Sequence, residues 1–177
     1  MNTRCMRGAL NVLELVIVVV IFGLLAAIAI PRLSSASPAD AERSLRRDVS
    51  VLRSAIELYH RDHGAYPGQK GASTLESGPG TEAAFALQLT RFSDVEGRVA
   101  DKPDDTFCYG PYLREGIPAC SVVPRQGKQG LCLVSDETVP TFTPSATEAG
   151  WVYNYETGDI VVNSDGYGVS GARYDSY

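Results

Sequence analysis

The chain has 177 residues, enough for one ordinary globular domain with an appendage. Its 21 acidic residues outnumber 16 basic ones for a net charge of −5, which argues against a nucleic-acid-binding surface. Pro and Gly are plentiful after residue 64 and Tyr is the commonest aromatic, a composition suited to a loop-rich β region rather than a helical bundle.

Residues 10–30 read LNVLELVIVVVIFGLLAAIAI, interrupted only by Asn11 and Glu14. As a helix this run would be about 31 Å long at ~1.5 Å per residue, enough to cross a bilayer. Arg4, Arg7 and the amino terminus precede it without an acid. The positive-inside bias therefore keeps Met1 cytoplasmic and sends everything after Pro31 outward. A basic start, an apolar run and Ala27-Ile28-Ala29 also fit a cleaved secretory signal, but the run exceeds the usual ~7–15 residues and carries an acid early on. A carboxylate within a span costs roughly 2.5–3.5 kcal/mol at the helix centre, so Glu14 calls for a partner or for access to interfacial water.

The segment Arg7-Gly8-Ala9-Leu10-Asn11-Val12-Leu13-Glu14-Leu15-Val16 resembles the prepilin signature of type IV pilin-like proteins, and Gly23-Leu24-Leu25-Ala26-Ala27-Ile28-Ala29-Ile30-Pro31 is similar to the helix that follows it. In that family the mature chain carries Glu fifth and Pro twenty-second. Counting from Leu10 meets both landmarks, at Glu14 and Pro31, so the resemblance implies cleavage between Ala9 and Leu10, with cleavage after Gly8 as the alternative. Ala9 stands where the family usually has Gly, and Leu10 where it usually has Phe. The resemblance further implies a prepilin peptidase as partner, N-methylation at Leu10, and a Glu14 that neutralises the new amine of a neighbouring subunit, two charges costly in lipid offsetting one another.

Pro31 removes an intrahelical hydrogen bond, so residues 31–38 are expected to be bent or loose. Ser37-Pro38-Ala39-Asp40 restarts the helix with Ser as cap, Pro at the first helical position and Asp on the positive end of the dipole. It should run to about His63 and stop at Gly64, burying Leu45, Val49, Leu52, Ile56 and Tyr59 along one stripe. His60 and His63 could share a metal at their i, i+3 spacing, but cationic side chains are favoured at a helix C-terminus in any case.

Arg53-Ser54-Ala55-Ile56-Glu57-Leu58-Tyr59 with His63-Gly64-Ala65-Tyr66-Pro67, then Tyr109-Gly110-Pro111-Tyr112-Leu113 with Ile117-Pro118, and Gly150-Trp151-Val152-Tyr153-Asn154 with Thr157-Gly158-Asp159-Ile160, resemble the major pseudopilins of type II secretion. Residues 81–92 are expected to form a short helix carrying Phe85, Leu89 and Phe92, followed by an acidic loop over 93–106. Strands are expected at 131–134, 151–155 and 159–163, the last two joined at Glu156-Thr157-Gly158, with Trp151 or Val152 facing the helix.

Outside the cytoplasm Cys108, Cys120 and Cys132 would sit in an oxidising space, while Cys5 belongs to the leader. A Cys120–Cys132 bridge around the SVVPRQGKQGL loop would contribute about 3 kcal/mol. Pairing of Cys108 with either, and three reduced thiols, are the alternatives. The tail holds Asn163, Asp165 and Asp175, and the resemblance implies a calcium ion in a loop there, although Asp-Gly also suits an ordinary turn.

These readings give an α+β, pilin-like fold: a leader over 1–9, a transmembrane and filament-core helix over 10–30, an extramembrane helix over 31–64, and a loop-rich head over 65–177 with a small antiparallel sheet. No catalytic constellation is visible. The resemblance implies a structural subunit of a type II secretion pseudopilus or related filament, anchored in the inner membrane with its head periplasmic. Its partners would be further copies in a helical filament, other pseudopilins and an inner-membrane assembly platform. A major pilin of an extracellular pilus, and an anchored or secreted periplasmic binding domain, are the other readings.

Overall fold

The computed structural model describes residues 15–21, 37–72, 77–136 and 138–177. The chain divides into two compact units, residues 1–36 and Ser37–Tyr177. Of the first unit only residues 15–21 are described; they are helical, with exposed side chains from Leu15 to Ile21. Among the described residues no helix is long and apolar enough to cross a membrane. Gly8, Ala9, Leu10, Glu14 and Pro31 lie outside the described residues.

The second unit begins with helix α1, Pro38–His63. Ser37 caps it, with Oγ accepting from the Asp40 N–H at 3.3 Å, and Gly64 ends it in the left-handed region at φ 65°. Leu45, Val49, Leu52, Ile56 and Tyr59 are all buried, as their spacing predicts.

Helix α2, Glu82–Thr90, starts at Thr81, whose Oγ1 accepts from Ala84 N–H at 3.2 Å, and buries Phe85, Gln88 and Leu89. It stops two residues short of the expected end, because Phe92 leaves it for a strand. Strands β1, Phe92–Ser93, and β2, Val99–Ala100, pair antiparallel inside the segment expected to be a loop.

The main sheet is formed by β3, Gly130–Val134, β4, Ala149–Asn154, and β5, Ile160–Val162, in that order. It is mixed, and this corrects the antiparallel expectation: β4 pairs antiparallel with β5 but parallel with β3. A parallel pair needs a crossover of roughly a dozen residues or more, and the segment 135–148 supplies it. The two asparagines at the far ends of β4 and β5 fasten that crossover. Asn154 Nδ2 donates to the carbonyls of Asp136 and Thr138, the latter at 3.1 Å, and Asn163 Oδ1 accepts from Thr143 N–H at 2.9 Å.

Between sheet and α1 lies one core, in which Trp151, Tyr153, Ile160 and Val162 meet Leu45, Leu52, Ile56 and Tyr59, with Phe85 and Leu89 of α2 at one side. Trp151 faces the helix, and its Nε1 donates to the Pro118 carbonyl at 2.8 Å. At the turn between β4 and β5, Gly158 adopts φ 80° and its missing Cβ leaves room for the Tyr66 ring.

Candidate functional site: the surface and anchors of helix α1

Helix α1 turns one face to the core and another to solvent. Two arrangements fix its ends. Neither is apparent from local sequence, because each joins residues far apart in the chain.

Near its start, Glu42 is almost covered, at 8 % exposure, and acts as a hub. Its Oε1 accepts from Arg46 at 2.9 Å and from the Tyr177 hydroxyl at 2.9 Å, and its Oε2 accepts from Val169 N–H at 2.7 Å. The Arg46 guanidinium first, then the Val169 amide and the Tyr177 hydroxyl, hold the Glu42 carboxyl below the usual carboxylate range. Arg46 also lies over the Tyr177 ring, 3.8 Å from its centroid. Further along the helix, Arg53 donates to the carbonyls of Tyr177 and, at 3.1 Å, of Ile160. The tail is thereby clasped to α1. At its tip a Cβ on Gly168 would push aside the Tyr177 hydroxyl and the Glu42 carboxylate that make the clasp.

At the other end His63 stacks on Tyr59, ring centroids 4.0 Å apart. Its Nδ1 donates to the Tyr59 carbonyl at 2.9 Å, and its Nε2 is hydrogen-bonded with Ser93 Oγ at 3.1 Å. His60 stacks instead on Tyr66, at 4.1 Å. The two histidines are thus engaged with different rings, and the i, i+3 spacing does not create a metal pair. Close by, Asp94, 2 % exposed, accepts from the amides of Glu96 and Arg98 at 3.0 and 2.9 Å and from the Arg98 guanidinium at 2.6 Å. Burial, then the Asp94 charge, push the Tyr59 hydroxyl well above its ordinary pKa. Burial is likewise the first cause of the upward shift at Tyr112, followed by its hydrogen bond to Asp62 at 3.0 Å.

Gln88 completes this anchor. Fully buried on α2, it accepts from Gly68 N–H at 2.7 Å and donates to the carbonyls of Lys70 and Gly97, each at 3.0 Å. One side chain thereby ties the loop after α1 to the β1–β2 turn.

Of the residues expected to hold calcium, Asn163 and Asp175 are engaged in other hydrogen bonds. Asn163 is buried, and its amide nitrogen donates to the carbonyls of Ala146 and Ala149 at 3.0 Å each while its oxygen serves Thr143. Asp175 binds Arg173 through both oxygens, at 3.0 and 2.6 Å, and Asp165 is exposed. Among the described residues no group of three or more His, Cys, Asp or Glu side chains could hold a metal.

The expected Cys120–Cys132 bridge is not made, and Cys108, Cys120 and Cys132 are free thiols. Alternation along β3 explains this: Leu131 joins the core cluster that contains Cys120, whereas Cys132, one residue on, points to the other side of the sheet. Burial raises the Cys120 thiol pKa.

Glu42, Arg46 and Tyr177, with Asp94 and Gln88, are the residues that the sequence did not single out. The i, i+4 spacing of Glu42 and Arg46 was the one local signal available; the partners at Val169 and Tyr177 are 127 and 135 residues away.

Over 77 residues the chain is 30% identical to the type II secretion system core protein G of Pseudomonas aeruginosa, a match covering 43% of this chain and 54% of that protein. The chain thus spans about half the length of the curated relative it matches. No protein-family model matches it, and no solved structure matches it significantly.

Proposed function

We propose that the chain is a structural subunit of a type II secretion pseudopilus or a related filament. The observation that carries this reading is the 77-residue similarity to a protein whose name places it in a type II secretion system. The order of chemistry along the sequence supports it: a basic leader, an apolar run with one acid at Glu14, Pro31, and then a capped helix laid on a small sheet.

On this reading a prepilin peptidase cuts between Ala9 and Leu10, or after Gly8, and methylates the new amine at Leu10. The apolar helix enters the inner membrane with its N-terminus cytoplasmic and its head periplasmic. During assembly Glu14 neutralises the amine of a neighbouring copy, which removes two unpaired charges from an apolar surrounding. Other pseudopilins and an inner-membrane platform are the partners, and the chain contributes no chemistry of its own.

The test is the mature N-terminus, read by mass spectrometry with and without a co-expressed prepilin peptidase. The expected chain begins at Leu10 and is methylated there. A chain that begins at Ile30 would mean a secretory signal and no filament core.

A further inference from the structure

Arg43, Arg47, Val51, Ser54, Leu58 and Arg61 recur along α1 at spacings of four and three, and all six are exposed. At about 100° per residue they fall on one arc of the helix, a stripe roughly 27 Å long, well away from the buried arc of Leu45, Leu52 and Tyr59. Between Arg43 and Arg61 no acidic residue lies on that arc. Val51 and Leu58 are 47% and 39% exposed, unusual for aliphatic side chains at the centre of a helix face. The three arginines pair with Asp40 at 3.2 Å, Asp48 at 3.8 Å and Asp62 at 3.2 Å yet keep side-chain exposures of 80%, 71% and 69%, and pairs so open to water contribute little to stability.

The complementary chemistry lies at the turn between β1 and β2 and in the loop beyond. Val95 is 61% exposed; Glu96 and Asp101, even while paired with Arg98 and Arg91, keep side-chain exposures of 67% and 76%; and Asp104 and Asp105 are exposed as well. The turn is held by its own hydrogen bonds. The Asp94 carboxylate takes the amides of Glu96 and Arg98, and Gly97 N–H donates to the Asp94 carbonyl at 3.0 Å, so docking would require little further ordering. A Cβ on Gly97 would meet the Gln88 amide at 3.0 Å and collide with the Tyr59 hydroxyl. The tip therefore stands on the buried side of α1. Within one molecule the acidic tip and the arginine stripe face different ways.

We propose that the acidic Val95 tip of one copy docks on the Arg47–Val51–Leu58–Arg61 stripe of α1 in the next. This rests on the filament reading and adds to it the faces through which neighbouring heads meet. Two unlike patches make a head-to-tail contact, which repeats from copy to copy instead of closing on itself as a two-fold dimer does. Opposite charges set partner and register, while Val95, Val51 and Leu58 supply the apolar burial.

The test uses the full chain, co-expressed with a prepilin peptidase, with Cys108→Ser to remove the exposed thiol. Copies carrying Leu58→Cys and copies carrying Val95→Cys should form a disulfide-linked pair only when both enter the same filament. Arg47→Glu with Arg61→Glu should lower filament yield roughly tenfold, and Glu96→Arg with Asp105→Arg in the same chain should restore it. All four positions are exposed, so unchanged melting of the variants confirms that folding is intact. Filaments that assemble normally yet show no link between the Leu58→Cys and Val95→Cys copies, or charge reversals without effect, overturn the docking and leave the filament reading standing. Losses that the second pair of reversals does not restore also overturn it, and assign the arginines to another surface such as anionic lipid. A wild-type chain that makes no filament overturns both.

Discussion

Gln88→Leu removes one side chain that serves three backbone groups. In the wild type the buried carboxamide accepts from Gly68 N–H and donates to the carbonyls of Lys70 and Gly97. Lys70 is exposed, so water can replace its lost donor, but Gly68 and Gly97 are buried. Two stranded polar groups at ~1–3 kcal/mol each, less what the added apolar volume of Leu returns, give a loss of about 2–4 kcal/mol. For a protein of this size that corresponds to a fall in Tm of roughly 10 °C. Trp151, the one tryptophan in the chain and fully buried, reports the transition by fluorescence in a urea titration. A loss below about 1 kcal/mol would refute the reasoning, since it would mean that water reaches Gly68 and Gly97. Gln88→Glu is the companion test. It keeps the acceptor for Gly68 but turns a charge toward two carbonyls once ionised, so its stability should fall as pH rises through the carboxyl range.

Glu42 has its carboxyl pKa lowered in the folded state, so its contribution is present above the unfolded value and lost as pH falls through the folded one. The Tm of the wild type should therefore decline below about pH 4.3 more steeply than that of Glu42→Gln, measured by scanning at a series of pH values. Gly158→Ala should destabilise by about 1–3 kcal/mol, because φ 80° and the Tyr66 ring both oppose a Cβ, and the loss should shrink in a Tyr66→Ala background where only backbone strain is left. With iodoacetamide under native conditions, mass spectrometry should find Cys108 alkylated first and Cys120 last, since Cys120 is buried and its thiol pKa is raised.

Helix α1 was legible almost to the residue because its determinants are local. Ser37, Pro38 and Gly64 mark its ends, and a four-three spacing marks its buried face. The three strands of the main sheet could be found for the same reason. Their directions could not, because the parallel pairing of β3 with β4 depends on a 135–148 crossover held by Asn154 and Asn163. Phe92 carried an apolar signal compatible with a helix, and only its pairing with Ala100 assigns it to a strand. The clasp at Glu42 and the anchor at Gln88 were invisible for a stronger reason. A lone Glu or Gln on a helix reads as surface until the distant backbone groups it serves are placed beside it.

The arcs of α1 divide labour in a way that bears on assembly. One arc is spent on the core. Beside it, Glu42, Arg46 and Arg53 bind the tail, and both arginines stay exposed while doing so. The arginines that make no hydrogen bond to the tail are Arg43, Arg47 and Arg61, the ones interleaved with Val51 and Leu58. Arg46 and Arg53 are engaged with the Glu42 carboxylate and with backbone carbonyls, so the cations of the other face lie along a line, and a line can set the register of a neighbour where a diffuse basic patch cannot.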